Sequence, residues 1–152
     1  MARVWIYQAN RILSEGEVNY INTKLVDFLA DWNAHGAALT ATAEVRYQLF
    51  VILTVDESKT PPSGCSIDKS VYIMKAIEEA LNIQLFDRFQ LAYRTVEGDL
   101  RVADRASFEA LIKQGLISAD TIVFNNLVAD TAALATQWEV PFNRSWHQQV
   151  FG

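Results

Sequence analysis

With one cysteine and two histidines among 152 residues, the sequence offers little from which to build a disulfide or a metal centre. A lone Cys65 closes no internal bridge, which suits a reducing cytoplasmic setting. Cys65, His35 and His147 lack the paired spacing of zinc ligands, so no metal is expected. Six glycines and three prolines exclude a collagen-like or low-complexity chain. Long apolar runs are missing too. The longest, Leu49 to Leu53, is a strand's length against the roughly 20 residues of a membrane helix. The opening residues through Asn10 turn polar too early for a secretory signal core, so no membrane association is expected. Positive charge is scarce: 13 Lys and Arg face 18 Asp and Glu, a net charge of −5. With no basic cluster, nucleic acid is not an expected partner.

Several kinds of site chemistry are absent as well. In Gly64-Cys-Ser-Ile-Asp-Lys-Ser70 the residue at 68 is Asp, where a phosphate-cradling loop needs its second glycine. The same Asp68 rules out a Cys-x-x-Cys redox pair, and Val71 stands where a phosphatase-type thiol loop needs arginine. Neither a nucleotide nor any other cofactor is expected.

What remains is an ordinary globular composition, 51% hydrophobic and 20% charged, of a length that suits one domain over residues 1–152. Arg3 to Ala9 reads as a first strand, apolar on both faces and hence central in its sheet. Ser14-Glu-Gly-Glu17 is a capping box that opens a helix with Val18, Ile21, Leu25, Phe28, Leu29 and Trp32 in its stripe. His35-Gly36 is its expected stop. Period-two alternation from Glu44 to Asp56 predicts one long strand, and Ile67 to Leu81 a largely buried second helix ending near Asn82. Asp87 to Val96, the turn Glu97-Gly-Asp99 and Leu100 to Ala103 predict an antiparallel pair. Asp104 caps a third helix that stops at Gly115, and Thr121 to Phe124 is a strand. A short helix over Thr131 to Thr136 and an edge segment Trp138 to Pro141 follow. The order is approximately βαβαββαβ: an α+β fold with a single mixed β-sheet and about three helices.

One candidate site lies at the second helix. Gly64 turns the chain, Ser66 is read as the cap, and Cys65 sits beside the positive end of the dipole, an arrangement that attracts anions and activates thiols. Cys65 is then the candidate nucleophile. Gly64, Ser66 and Asp68 contribute the surrounding amides, although the Asp68 carboxylate opposes thiolate formation. The alternative is that Gly64 and Ser66 only turn and cap the helix while Cys65 packs as a small hydrophobe. Period-two counting also sets Arg46 and Gln48 on one face with Arg88, Gln90 and Arg94 if the two strands are neighbours, a donor surface for a small anionic ligand or simply a wet sheet face. Trp5, Trp32, Trp138 and Trp146 are expected in the core or an interface. His147 lies near the chain end, where mobility is expected.

Taken together, Arg3-Val-Trp-Ile-Tyr-Gln-Ala-Asn10, Glu44-Val-Arg-Tyr47, Ser63-Gly-Cys-Ser-Ile-Asp-Lys-Ser-Val71, Leu85-Phe-Asp-Arg88, Asp120 to Val128, Trp138-Glu-Val-Pro141 and Ser145-Trp-His147 resemble a family of uncharacterised bacterial proteins. Members are of about this length and often carry the label ABC transporter ATPase. The resemblance covers the whole chain and implies no particular activity, and the absent phosphate loop speaks against ATP hydrolysis. Two functions stay open on the sequence: a small-ligand, anion-binding or thiol-dependent protein centred on Cys65, or a non-enzymatic interaction domain that forms a homodimer.

Overall fold

The computed structural model describes residues 2–152. Its elements run β1 (Ala2–Gln8), α1 (Glu15–Ala30), β2 (Asn33–Ala34), β3 (Ala37–Ala38), β4 (Ala41–Arg46), β5 (Phe50–Asp56), α2 (Gly64–Leu81), β6 (Leu91–Arg94) and β7 (Leu100–Ala103). Then follow α3 (Arg105–Lys113), β8 (Ile122–Phe124), α4 (Thr131–Gln137), β9 (Glu139–Pro141), a 3-10 turn at Phe142–Arg144 and α5 (His147–Phe151). The chain is α+β, but the strands form three sheets rather than one, in the orders β1-β5-β4, β2-β3 and β7-β6-β8-β9. Every pairing within them is antiparallel, so the expected mixed sheet is replaced by two antiparallel sheets and a two-residue ribbon. Among the described residues no helix is long and apolar enough to cross a membrane.

The expected long strand is two strands. Tyr47 and Gln48 adopt φ of +59° and +53°, and the Leu49 amide donates to the Arg46 carbonyl at 3.2 Å, closing a hairpin. In its register Val45 faces Val51 and Ala43 faces Leu53. Odd positions thus stay opposite odd positions, and the alternation runs unbroken through the turn. No Gly, Asn or Pro marks the reversal. As a result β5, not β1, is the central strand of its sheet, and five of its seven residues are buried.

The first helix begins as its capping box requires, with the Ser14 side chain accepting from the Glu17 amide. It ends at Ala30, well before His35-Gly36. Those two residues have φ of +53° and +81° and form the turn between β2 and β3. Helix α2 is capped by Ser63 rather than Ser66. The Ser63 hydroxyl accepts from the Ser66 amide, while the Ser66 hydroxyl, at the third helical position, accepts from the Ser63 amide. Asn82, left-handed at φ +52°, closes it where expected.

The two larger sheets share one core. Phe50 of the first packs on Phe124 of the second and on Trp138, and the same core takes in Ile52, Ala92 and, from α2, Met74 and Ile77. The opposite face of the second sheet presents Leu91, Tyr93 and Val123 to Phe108 of α3 and Phe142. This alternation across β6 and β8 is the period-two pattern of a strand buried on both faces. A third cluster joins Trp32, Leu39, Leu53 and Val55, and the Trp32 indole donates to the Ser66 carbonyl at 2.8 Å. That bond ties the end of α1 to the start of α2.

Candidate functional site

Where β1 of the first sheet faces β6 and β8 of the second, the Gln8 side-chain amide bridges the seam. It donates to the Gln90 carbonyl at 2.7 Å, and its oxygen accepts from Asn126 at 3.0 Å. The Asn126 oxygen accepts in turn from the Trp138 indole at 2.9 Å. These groups are buried or half-buried and partnered with one another, the condition under which polar groups are tolerated inside a fold. Beside this chain opens a cleft of about 560 Å³, within the range of small-molecule sites. Its floor is apolar, from Ile6, Ala92 and Phe124, which belong to the shared core of the two sheets. The loop Leu85 to Gln90 forms one wall, and Leu127, Trp146, His147 and Val150 form the other.

The C-terminal wall is rigidly built. His147 is 1% exposed and stacks on Trp146 at 3.9 Å between centroids, with Phe108 and Phe142 around it. Its Nδ1 lies 2.7 Å from the Ser145 hydroxyl. Burial pushes its pKa down to about 4, so the ring is neutral at pH 7. The expected mobility of this residue is therefore overturned by aromatic packing. Trp146 carries a different kind of signal. Its Nε1 is buried with no hydrogen-bond partner, alone in that respect among the side-chain polar atoms of the described residues. An unpaired buried donor costs on the order of 1–3 kcal/mol.

Of the candidate ligand-binding residues named from the sequence, only Arg88 and Gln90 line this cleft. Arg88 lies in the loop before β6, since the strand expected from Asp87 starts only at Leu91. It is exposed and has no hydrogen-bond or ion-pair partner among the described residues. Asp87 beside it is committed, accepting from the Phe89 amide at 3.0 Å and the Gln90 side chain at 3.1 Å.

Cys65, Gly64 and Asp68 are exposed in the first turns of α2. The capping box already satisfies the Ser66 amide, and Ser66 itself is buried, so fewer free amides remain there than expected. Arg46 does not join them. It pairs with Phe50 at one end of β5, whereas the chain leaves for α2 from Asp56 at the other, roughly 20 Å along the strand. Instead Arg46 bonds Glu44 and lies 5.4 Å over the Trp138 ring. Gln48 donates to the Leu13 carbonyl from the hairpin turn.

The arginine face expected across neighbouring strands is thus divided between two sheets, with one meeting point. Tyr47 donates to Glu139 at 2.6 Å, and Arg94 both bonds Glu139 at 3.0 Å and covers the Tyr47 ring. The Glu139 bond raises the Tyr47 pKa. This clamp fastens the β4–β5 turn to β6 and β9 and is internally satisfied. Among the described residues no three His, Cys, Asp or Glu side chains cluster as a metal site.

No family model, curated protein or solved structure matches the chain. The cleft was not legible in the sequence because its lining comes from four separate segments.

Proposed function

We propose that the protein binds a small organic ligand in the cleft between its two larger sheets, in a cytoplasmic setting suggested by its single cysteine. The observation that carries this reading is the cleft itself: about 560 Å³, apolar on its floor, edged by a saturated amide chain, and holding an unpaired indole donor in its wall. The start of α2 supports the reading less well, because its cap consumes the Ser66 amide and Arg46 stands at the far end of β5. Cys65 there is an exposed thiol with no neighbouring base among its hydrogen-bond partners.

The test is an amide and indole NMR titration of the full chain with 2-naphthylmethanol, a neutral planar probe. Saturable shifts at Gln8, Gln90, Leu127 and Trp146 are the expected result. A probe that shifts nothing, or shifts only residues outside the cleft, overturns the proposal.

A second reading, a homodimer through the helical face, draws on Val26 and Tyr72, which are 67% and 77% exposed on α1 and α2. A small groove lined by Phe28, Trp32 and Ile73 lies against Tyr72. Sedimentation of wild type and Tyr72→Glu tests it: a dimer that Tyr72→Glu dissociates is the expected result, and a wild-type monomer refutes it.

A further inference from the structure

The hydrogen-bond inventory of the cleft narrows what would occupy it, given that the cleft is the binding site. The side-chain amides of Gln8 and Asn126 are already engaged, Gln8 with Gln90 and Asn126, Asn126 with Trp138. The Asp87 oxygens accept from the loop that carries them. Two donors in the walls remain uncommitted, the Trp146 indole N–H and the Arg88 guanidinium, and neither has any capacity to accept. They also belong to one end of the cleft. Phe89, the neighbour of Arg88 in the chain, meets the Trp146 ring edge-on with centroids 6.5 Å apart. An occupant that satisfies these two donors brings acceptors to that end and apolar surface to the rest of the cleft.

From this we infer that the ligand is a small organic acid, a flat apolar body with one carboxylate. The body lies on Ile6, Ala92 and Phe124, and the carboxylate accepts from Arg88 and from the Trp146 N–H. A guanidinium and a carboxylate form a charge-assisted, bidentate pair, the strongest hydrogen bond available here. The Trp146 N–H, which has no partner in the free protein, is the second donor that such a carboxylate would satisfy. Asp87 sets an opposing charge next to Arg88, so the preference for an acid rests on direct contact rather than on the local field. It is accordingly moderate, about tenfold over a neutral analogue of the same shape.

The experiment compares 2-naphthoate with 2-naphthylmethanol on the full chain at pH 7, by NMR titration of wild type, Arg88→Gln and Trp146→Phe. Wild type is expected to bind the acid about tenfold more tightly, with the Trp146 indole proton moving downfield. In each variant the acid-to-alcohol ratio falls toward one. Because the readout is a ratio within one protein, a general loss of stability does not imitate it. Equal binding of acid and alcohol to wild type, or a ratio that survives both substitutions, overturns the carboxylate assignment and leaves the cleft as a binding site. Failure of both probes to bind overturns the cleft reading itself.

Discussion

Replacing His147 with Asn should remove a specific part of the protein's acid sensitivity. His147 is buried among aromatic rings with no carboxylate against it, and its pKa falls from 6.5 to about 4 on folding. Above pH 6.5 neither the folded nor the unfolded chain protonates this ring, so its contribution to stability is fully present. As pH falls, the unfolded chain takes up the proton first, and stability drops until the folded ring also titrates near pH 4. At roughly 1.4 kcal/mol per pKa unit the full loss is about 3 kcal/mol, of which about 2 kcal/mol falls between pH 7 and pH 5. That interval lies above the titration of Glu17, whose pKa is lowered to about 2 by Arg11. Asn retains a polar group at the Nδ1 position that can still meet Ser145. Urea unfolding of both proteins at pH 7 and pH 5 measures the effect as a difference in which all other groups cancel. Wild type should lose about 2 kcal/mol more than His147→Asn over this interval. Equal losses, or a histidine NMR titration that places His147 at an ordinary value, would refute the burial argument.

Asn126→Ala strands both the Trp138 indole and the Gln8 oxygen, so it should destabilise the fold by about 1–3 kcal/mol in urea unfolding. Gln8→Ala leaves Trp138 partnered and should cost less. Ser63→Ala removes the true cap of α2 and should cost about 1 kcal/mol, measured as a shift in unfolding midpoint without change in slope. Two glycines should respond in opposite directions. Gly98→Ala, at φ +91° in the β6–β7 turn, destabilises by about 1 kcal/mol. Gly64→Ala, with open space around its added methyl, stabilises by about 0.5 kcal/mol. A loss of stability in Gly64→Ala would mean that this glycine serves a backbone conformation the helix start does not display.

The elements with local causes were readable from the residues alone. Ser14 and Glu17 form their capping box because both partners lie within one turn, and α2 ends at Asn82 because an apolar stripe runs out at a residue that tolerates left-handed backbone. Asp104 and Asp130 cap α3 and α4 for the same local reason. The α+β class follows from these elements and from the antiparallel hairpin at Gly98. Sheet organisation depended on contacts between distant residues. The Tyr47-Gln48 turn carries no glycine, and its register preserves the alternation on both sides, so only the Tyr47–Glu139–Arg94 clamp and the packing of Phe50 on Trp138 reveal why the chain reverses there. The same holds for the site. Arg88 was visible as a charged residue, but its role depends on a wall supplied by Trp146, some sixty positions later in the chain. His147 read as a mobile terminal residue until aromatic side chains from α3 and the 3-10 turn closed over it. Local hydrogen bonds and side-chain periodicity determine where helices and strands begin. Burial, and the polar groups it leaves paired or unpaired, is a property of the assembled chain, and the cleft exists only at that level.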